Sequence, residues 1–161
     1  MTAKEAQIIA TSMKNGNAFQ LPDSNTSAVY SYYYDMVEEH YCCLRIDGKT
    51  AFAENICVFE DFAELHQKIL RQHTLKAIQQ NIKTNMERFK HFYALCIAEK
   101  VDVEAIAQMI EQPFNYELHI WDRDNHVYGY MTPLKALVVR RPAAPEAIAL
   151  LLKKGVNPNK K

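Results

Sequence analysis

Apolar residues recur along the chain with two different periods, and the period changes near residue 60. Before that point, short runs rich in hydrophobic and aromatic residues are typical of β-strands. Three strands are predicted, over AVYSYYYDM (28–36), EEHYCCLRI (38–46) and TAFAENICVF (50–59). Asp47-Gly48 favours a tight turn between the last two strands. We therefore expect a β-hairpin over residues 38–59.

Helical patterns flank these strands. Residues 3–14 predict a short helix that stops at Asn15-Gly16-Asn17, and LPDSNTS (21–27) predicts a loop. Asp61 and Glu64 make a capping-box pattern before a second helix, with Asp in place of Ser or Thr. From Leu75 to Tyr93 an apolar stripe predicts one long helix or two abutting helices.

These patterns predict an α+β protein in two parts. Residues 1–74 form a small mixed α/β domain, with an antiparallel hairpin plus helices, and residues 75–161 form a helical domain. No linker rich in Gly or Ser separates the two, so we expect the first to pack on the second.

Two windows in the helical part share one pattern. Residues 94–115 and 132–159 each predict a helix, a break, a second helix and an extended end. The breaks fall at Val101-Asp102 and at RRPAAP (140–145). Thr132 and Pro133 suit the first two positions of a helix, and Gly155 suits a left-handed helix stop. Recurrence of one supersecondary unit indicates a helical array.

The two windows resemble the ankyrin repeat family. The second carries Gly129, Thr132-Pro133-Leu134, Leu151-Leu152 and GVNPN (155–159) where that family has its G-x-T-P-L, L-L and G-A-D-x-N motifs. The first, IAEKVDVEAIAQMIE (97–111), is similar to the family's mid-repeat. Lys135, Leu137 and Val101 depart from the family's histidine, alanine and glycine. The resemblance covers about 94–159 and implies a protein-binding scaffold.

Residues 116–130 between the windows are predicted to form a β-hairpin, called here the finger. In ankyrin proteins such hairpins contribute to the binding face. Tryptophan, tyrosine and arginine dominate binding hot spots, and the finger is rich in them. We predict that it contacts another protein through Tyr116, His119, Trp121, Arg123, Asp124, His126 and Tyr128. The alternative is that Trp121 only covers the helical core.

A second candidate contact is the acidic cluster of Asp35, Glu38 and Glu39, beside the tyrosine-rich strand. Acidic and aromatic groups together suit a basic protein surface. A solvated strand edge or a half-buried sheet explains the same residues equally well.

Composition and charge argue against several other classes of protein. Lys plus Arg and Asp plus Glu both number 19, so we expect no binding to nucleic acid or to membranes. The 4 cysteines make neither a disulfide framework nor a zinc ribbon, which favours a reducing cytoplasm.

Motifs for catalysis and metal binding are missing from the sequence. There is no phosphate-binding glycine loop, no G-x-S-x-G and no H-E-x-x-H. Asp122, Asp124 and His126 could ligate a metal, but a polar hairpin tip explains them without one. We expect no cofactor and no metal.

The sequence thus predicts a non-enzymatic protein-binding module of the immunity or antitoxin type, which neutralises a toxin. One alternative is a small enzyme over 1–74, with a cleft at His40, Cys42 and Glu54, targeted by the repeats. Another is a fragment of a longer ankyrin effector. Because two repeats leave an array face uncovered, a homodimer or an obligate partner is also expected.

Overall fold

The computed structural model of the chain describes residues 1–47, 56–121 and 130–156. It confirms the α+β class, with a four-stranded antiparallel sheet and six α-helices in the described part. In chain order the elements are α1 (Ala3–Lys14), β1 (Phe19–Pro22), β2 (Val29–Asp35), β3 (His40–Ile46), β4 (Ile56–Phe59), α2 (Phe62–Lys68), α3 (Leu75–Ile97), α4 (Val103–Met109), β5 (Ile120–Trp121), β6 (Tyr130–Met131), α5 (Pro133–Val139) and α6 (Pro145–Lys153).

The sheet is a meander in the order β1-β2-β3-β4. Strands β3 and β4 pair antiparallel, with Tyr41 opposite Phe59 and Cys43 opposite Cys57, as the predicted hairpin requires. Strand β1 pairs with β2 over residues that were predicted in part as loop. Gly48, in the predicted turn, lies outside the described residues.

Helix starts follow the predicted capping chemistry. The side chain of Asp61 accepts a hydrogen bond from the backbone N–H of Glu64, which begins α2. The carboxylate of Glu64 accepts from the N–H of Glu60, one residue before the cap, instead of completing a box. Thr132 caps α5 through the N–H of Lys135. Each cap satisfies a donor that a helix start leaves unpaired.

Contacts divide the chain into two units, residues 1–45 with 54–87 and residues 46–53 with 88–161. Helix α3 is a single helix of 23 residues and contributes to both units. In the first unit α1 packs on α2 and on β2. Phe19 stacks on Tyr32 across the sheet, with ring centroids 5.0 Å apart.

The outer edge of β1 is covered by polar side chains of α3. Asn81 accepts a hydrogen bond from the N–H of Gln20 at 3.1 Å and donates one to its carbonyl at 2.7 Å. One turn later, Asn85 donates to the carbonyl of Ala18 at 3.0 Å. Side-chain amides of a helix thereby pair with backbone N–H and C=O groups that another strand would otherwise satisfy.

The described part of the second unit is mainly helical. Helix α5 packs on α6, and α4 also packs on α6. The break between α3 and α4 ends at Asp102, which caps α4 through the N–H of Ala105. Gly155 adopts φ 87° after α6, which is the predicted left-handed stop. Among the described residues, no helix is long and apolar enough to cross a membrane.

Candidate protein-interaction surface

The finger is anchored by a buried aromatic cluster at its base. The ring of Tyr116 lies 4.5 Å from that of Phe92 and 5.0 Å from that of Phe114 between centroids. All three side chains are buried, and Tyr116 is 2% exposed. Edge-tilted aromatic pairs of this kind add to the free energy that burial of their surface already supplies.

Hydrogen bonds fix the orientation of Tyr116. Its hydroxyl donates to the carbonyl of Met109 at the end of α4, and lies 3.4 Å from the carbonyl of Gln112. It accepts from the Arg88 guanidinium at 3.3 Å, and that guanidinium also lies 4.8 Å from the Phe114 ring centroid. Burial raises the pKa of Tyr116, against the opposing effect of Arg88. Its hydroxyl therefore stays protonated as a donor to the carbonyl of Met109.

Beyond this base, two short strands pair. Ile120 lies opposite Met131, and Trp121 lies opposite Tyr130. Strand β6 runs directly into the capping residue of α5, so the pairing is attached to the helical scaffold at both ends.

The predicted contact residues of the finger differ in burial and in whether the structure describes them. Tyr116 is buried in the base, so it supports the finger and offers no exposed surface. His119 is half-buried, and Trp121 lies in β5. The remaining predicted contacts lie outside the described residues; they are Arg123, Asp124, His126 and Tyr128.

A groove of about 440 Å³ lies in the same unit, between the end of α3, strand β6, helix α5 and the start of the α5–α6 connection. Its apolar lining includes Ile97 and Val139, which are 42% and 46% exposed. Arg141 and Glu99 also line it. Large apolar side chains left half in solvent around a concave surface are typical of interaction sites.

The groove was not predicted from the sequence, although α5 carries a signal for it. Helix α5 (PLKALVV) has six apolar residues in seven, more than one helix face can bury. Leu134, Ala136 and Leu137 are buried, whereas Val138 and Val139 are exposed. The excess of apolar positions therefore pointed to a second apolar surface.

Arg140 lines both this groove and a smaller one of about 270 Å³ beside the α5–α6 connection. Its guanidinium donates to the carbonyls of Cys96 and Glu99, each at 2.9 Å, and its Nε donates to the carbonyl of Pro142 at 3.1 Å. The first two carbonyls lie at and just beyond the end of α3, where a helix favours a positive charge.

The acidic residues predicted as a second contact lie at the turn between β2 and β3, in the first unit. The Asp35 carboxylate accepts hydrogen bonds from the N–H groups of Val37 and Glu38, so it shapes the turn. Glu38 and Glu39 are exposed, as is Val37. Nearby, the Lys14 ammonium lies 5.7 Å from the Tyr34 ring centroid.

Two of the cysteines have properties that oppose nucleophilic catalysis. Burial raises the pKa of the Cys43 thiol to about 11 and that of Cys96 to about 12. A thiol reacts as its thiolate, so both are poor nucleophiles near neutral pH. His40 is exposed and Cys42 is buried, and Glu54 lies outside the described residues.

No group of three or more His, Cys, Asp or Glu that could hold a metal ion occurs within 1–47, 56–121 and 130–156. Asp122, Asp124 and His126 fall outside these ranges. Comparison of the chain with models of protein families, with curated proteins and with solved structures gives no match. The geometry of the site is therefore the basis for a functional proposal.

Proposed function

We propose that the chain is a non-enzymatic protein-binding module. The observation that carries the proposal is the exposed apolar groove of Ile97 and Val139. It lies in the same unit as the anchored finger, which carries Trp121 and Arg123. Partly exposed aliphatic side chains combined with tryptophan and arginine suit a hot-spot interface.

The scaffold of the second unit supports an ankyrin-like interpretation. Helices precede and follow a short antiparallel strand pair, and α6 packs both on α5 and on α4. This is the order of elements expected from the resemblance of residues 94–159. In such arrays the hairpins and inner helices bind other proteins, so the proposal assigns this role to the finger and the groove.

The class of partner is proposed by analogy. A small binder with its own additional α/β part suits an immunity or antitoxin protein that covers the active site of a cognate toxin. A cytoplasmic location is proposed with it, since Cys42, Cys43, Cys57 and Cys96 are all free thiols. The exposed carboxylates of Glu38 and Glu39 would suit a basic region of such a partner.

The test is the purified full chain, used to isolate a partner from extract of the cell that produces it. Affinity for that partner is then measured by titration calorimetry for Trp121→Ala, Arg123→Ala and Val139→Asp. We expect each to weaken binding by about tenfold or more, the scale of hot-spot residues. Ile8→Asp is the matched control, because Ile8 is 48% exposed in the first unit.

Two results would contradict the proposal. One is that a column carrying the original chain captures no protein in greater amount than a column carrying the Trp121→Ala/Val139→Asp double variant. The other is a partner that binds all three variants with the affinity of the original chain. A separate measurement gives the molar mass of the isolated chain in solution. This distinguishes a homodimer from a complex with another protein.

A further inference from the structure

Two thiols oppose each other on the last two strands of the sheet. Phe19 stacks on Tyr32, and the pKa of the Tyr32 hydroxyl is raised, first by burial and then by the Cys43 thiol. Cys43 on β3 lies directly opposite Cys57 on β4 in the antiparallel register. Cys43 is buried and Cys57 is exposed, and both are free.

The register brings the two thiols within reach of each other. Opposed residues of an antiparallel pair have their Cα atoms about 4.5–5.5 Å apart, inside the range of about 4.4–6.8 Å found in disulfides. Their Cβ atoms point to the same face at about 4.5–5.5 Å, slightly more than the usual separation of about 3.5–4.5 Å in a disulfide. A small approach of β4 is therefore needed.

Strand β4 is well placed for such a movement. It has four residues and forms one end of the strand order, so β3 is its sole neighbour in the described sheet. Val58, which follows Cys57, is 49% exposed. An edge strand of this length can shift toward its neighbour without disturbing a second ladder.

We propose that Cys43 and Cys57 form a cross-strand dithiol site that a small-molecule disulfide, such as glutathione disulfide, oxidises to an intramolecular disulfide. This goes beyond the binding function and does not depend on it. The proposed site lies wholly in the first unit.

The chemistry proceeds in two exchange steps, each of which conserves the number of disulfides. The exposed Cys57 thiol loses its proton, and the thiolate attacks one sulfur of the small disulfide. A bond forms between Cys57 and one half of the reagent, and the other half leaves as a thiolate that takes up a proton. Cys43 then loses its proton, and its sulfur attacks the Cys57 sulfur.

The second half of the reagent leaves in this step, also as a thiol after protonation. Two protein thiols have been oxidised and one small disulfide has been reduced to two thiols. Because Cys43 is buried beside Tyr32, the second step is the slower one. The mixed disulfide at Cys57 is consequently the intermediate that should accumulate first.

The experiment incubates the reduced full chain with glutathione disulfide near pH 8. Free thiols are then blocked with an alkylating reagent, and the intact mass is measured over time. The chain has 4 cysteines. We expect two alkylation sites to be lost, with no bound glutathione at the end point and no increase in molar mass from linked chains.

Variants assign the bond, since Cys42 and Cys43 are adjacent in sequence. Cys42→Ser and Cys96→Ser are the matched controls and should still lose two thiols. Cys43→Ser should stop at the glutathione adduct, and Cys57→Ser should form neither the adduct nor the bond. Should Cys43→Ser fail to fold, the comparison of Cys57→Ser with Cys42→Ser and Cys96→Ser decides the assignment.

Four outcomes would overturn the proposal. The first three are an intramolecular disulfide that persists in Cys57→Ser, one that is lost in Cys42→Ser, and a chain that stays at the glutathione adduct with all residues intact. A disulfide between two chains would also overturn it.

Discussion

The Arg140 guanidinium lies 2.9 Å from the carbonyl oxygen of Cys96, 44 residues earlier in the chain. The carbonyl of Glu99 accepts a second bond from the same group at 2.9 Å. One side chain at the end of α5 thus pairs with carbonyls at and just beyond the end of α3. These two hydrogen bonds hold the end of α3, where Ile97 lines the groove, against the end of α5.

Arg140→Lys should lower the free energy of unfolding by about 1–2 kcal/mol, because an ammonium cannot reproduce the planar fork that reaches both carbonyls. Chemical denaturation with urea measures the change. Arg141→Lys is the matched control, since Arg141 is exposed, and should change stability by less than about 0.5 kcal/mol. Equal effects of the two variants would show that the carbonyl contacts contribute little.

Asn81→Ala should destabilise the first unit by about 1–2 kcal/mol, because the N–H and carbonyl of Gln20 each lose a partner. The amide of Gln20 should also exchange its hydrogen faster, which nuclear magnetic resonance measures. Gln80→Ala, on an exposed position of α3, is the control and should leave that exchange rate unchanged. A slow Gln20 amide in Asn81→Ala would contradict the assigned pairing.

Tyr116→Phe should lower the free energy of unfolding by about 1–2 kcal/mol, since the carbonyl of Met109 and the guanidinium of Arg88 both lose a buried partner. Thermal unfolding followed by circular dichroism gives the change. Tyr34→Phe is the control, because Tyr34 is only half-buried and its ring contact with Lys14 does not need the hydroxyl. If both variants unfold at the same temperature as the original chain, the Tyr116 hydroxyl does not anchor the finger.

Stability should fall as the pH rises above about 9. The pKa of Cys96 is raised from 9.0 to about 12 by burial, and that of Cys43 from 9.0 to about 11. The unfolded chain therefore releases these protons at a lower pH than the folded one, and the contribution is fully present below pH 9 and lost toward pH 11–12. Urea unfolding of Cys96→Ala between about pH 8 and 10.5 should show a shallower fall. A fall as steep as in the original chain would contradict this origin.

Local capping and turn chemistry made much of the fold predictable. Helix α1 has the predicted bounds, and Asp61 and Thr132 cap the helices that their positions indicated. These features depend only on residues three or four positions apart in the chain, so they can be predicted from one sequence. Strand β1 was not predicted, because Phe19–Pro22 is short and its outer edge is satisfied by Asn81, some 60 residues later.

The site was harder to predict for the same reason. Tyr116 is a hot-spot residue type in a predicted hairpin, but its ring meets Phe92 and its hydroxyl meets Arg88, both on α3. Those distant contacts bury it. The groove likewise needs Ile97 and Val139 to lie close together, although they are 42 residues apart (139 − 97).

The asparagine cover on β1 also limits how copies of this chain can assemble. Within the described sheet, a strand that joined through backbone pairing could add at β4, because on the β1 side Asn81 already bonds the N–H and carbonyl of Gln20, and Asn85 bonds the carbonyl of Ala18 just before the strand. Two chains that met at their β4 edges would each present a closed β1 edge outward. For the four strands that the structure describes, growth by strand pairing then ends at a dimer, because neither outward β1 edge is open to a further strand.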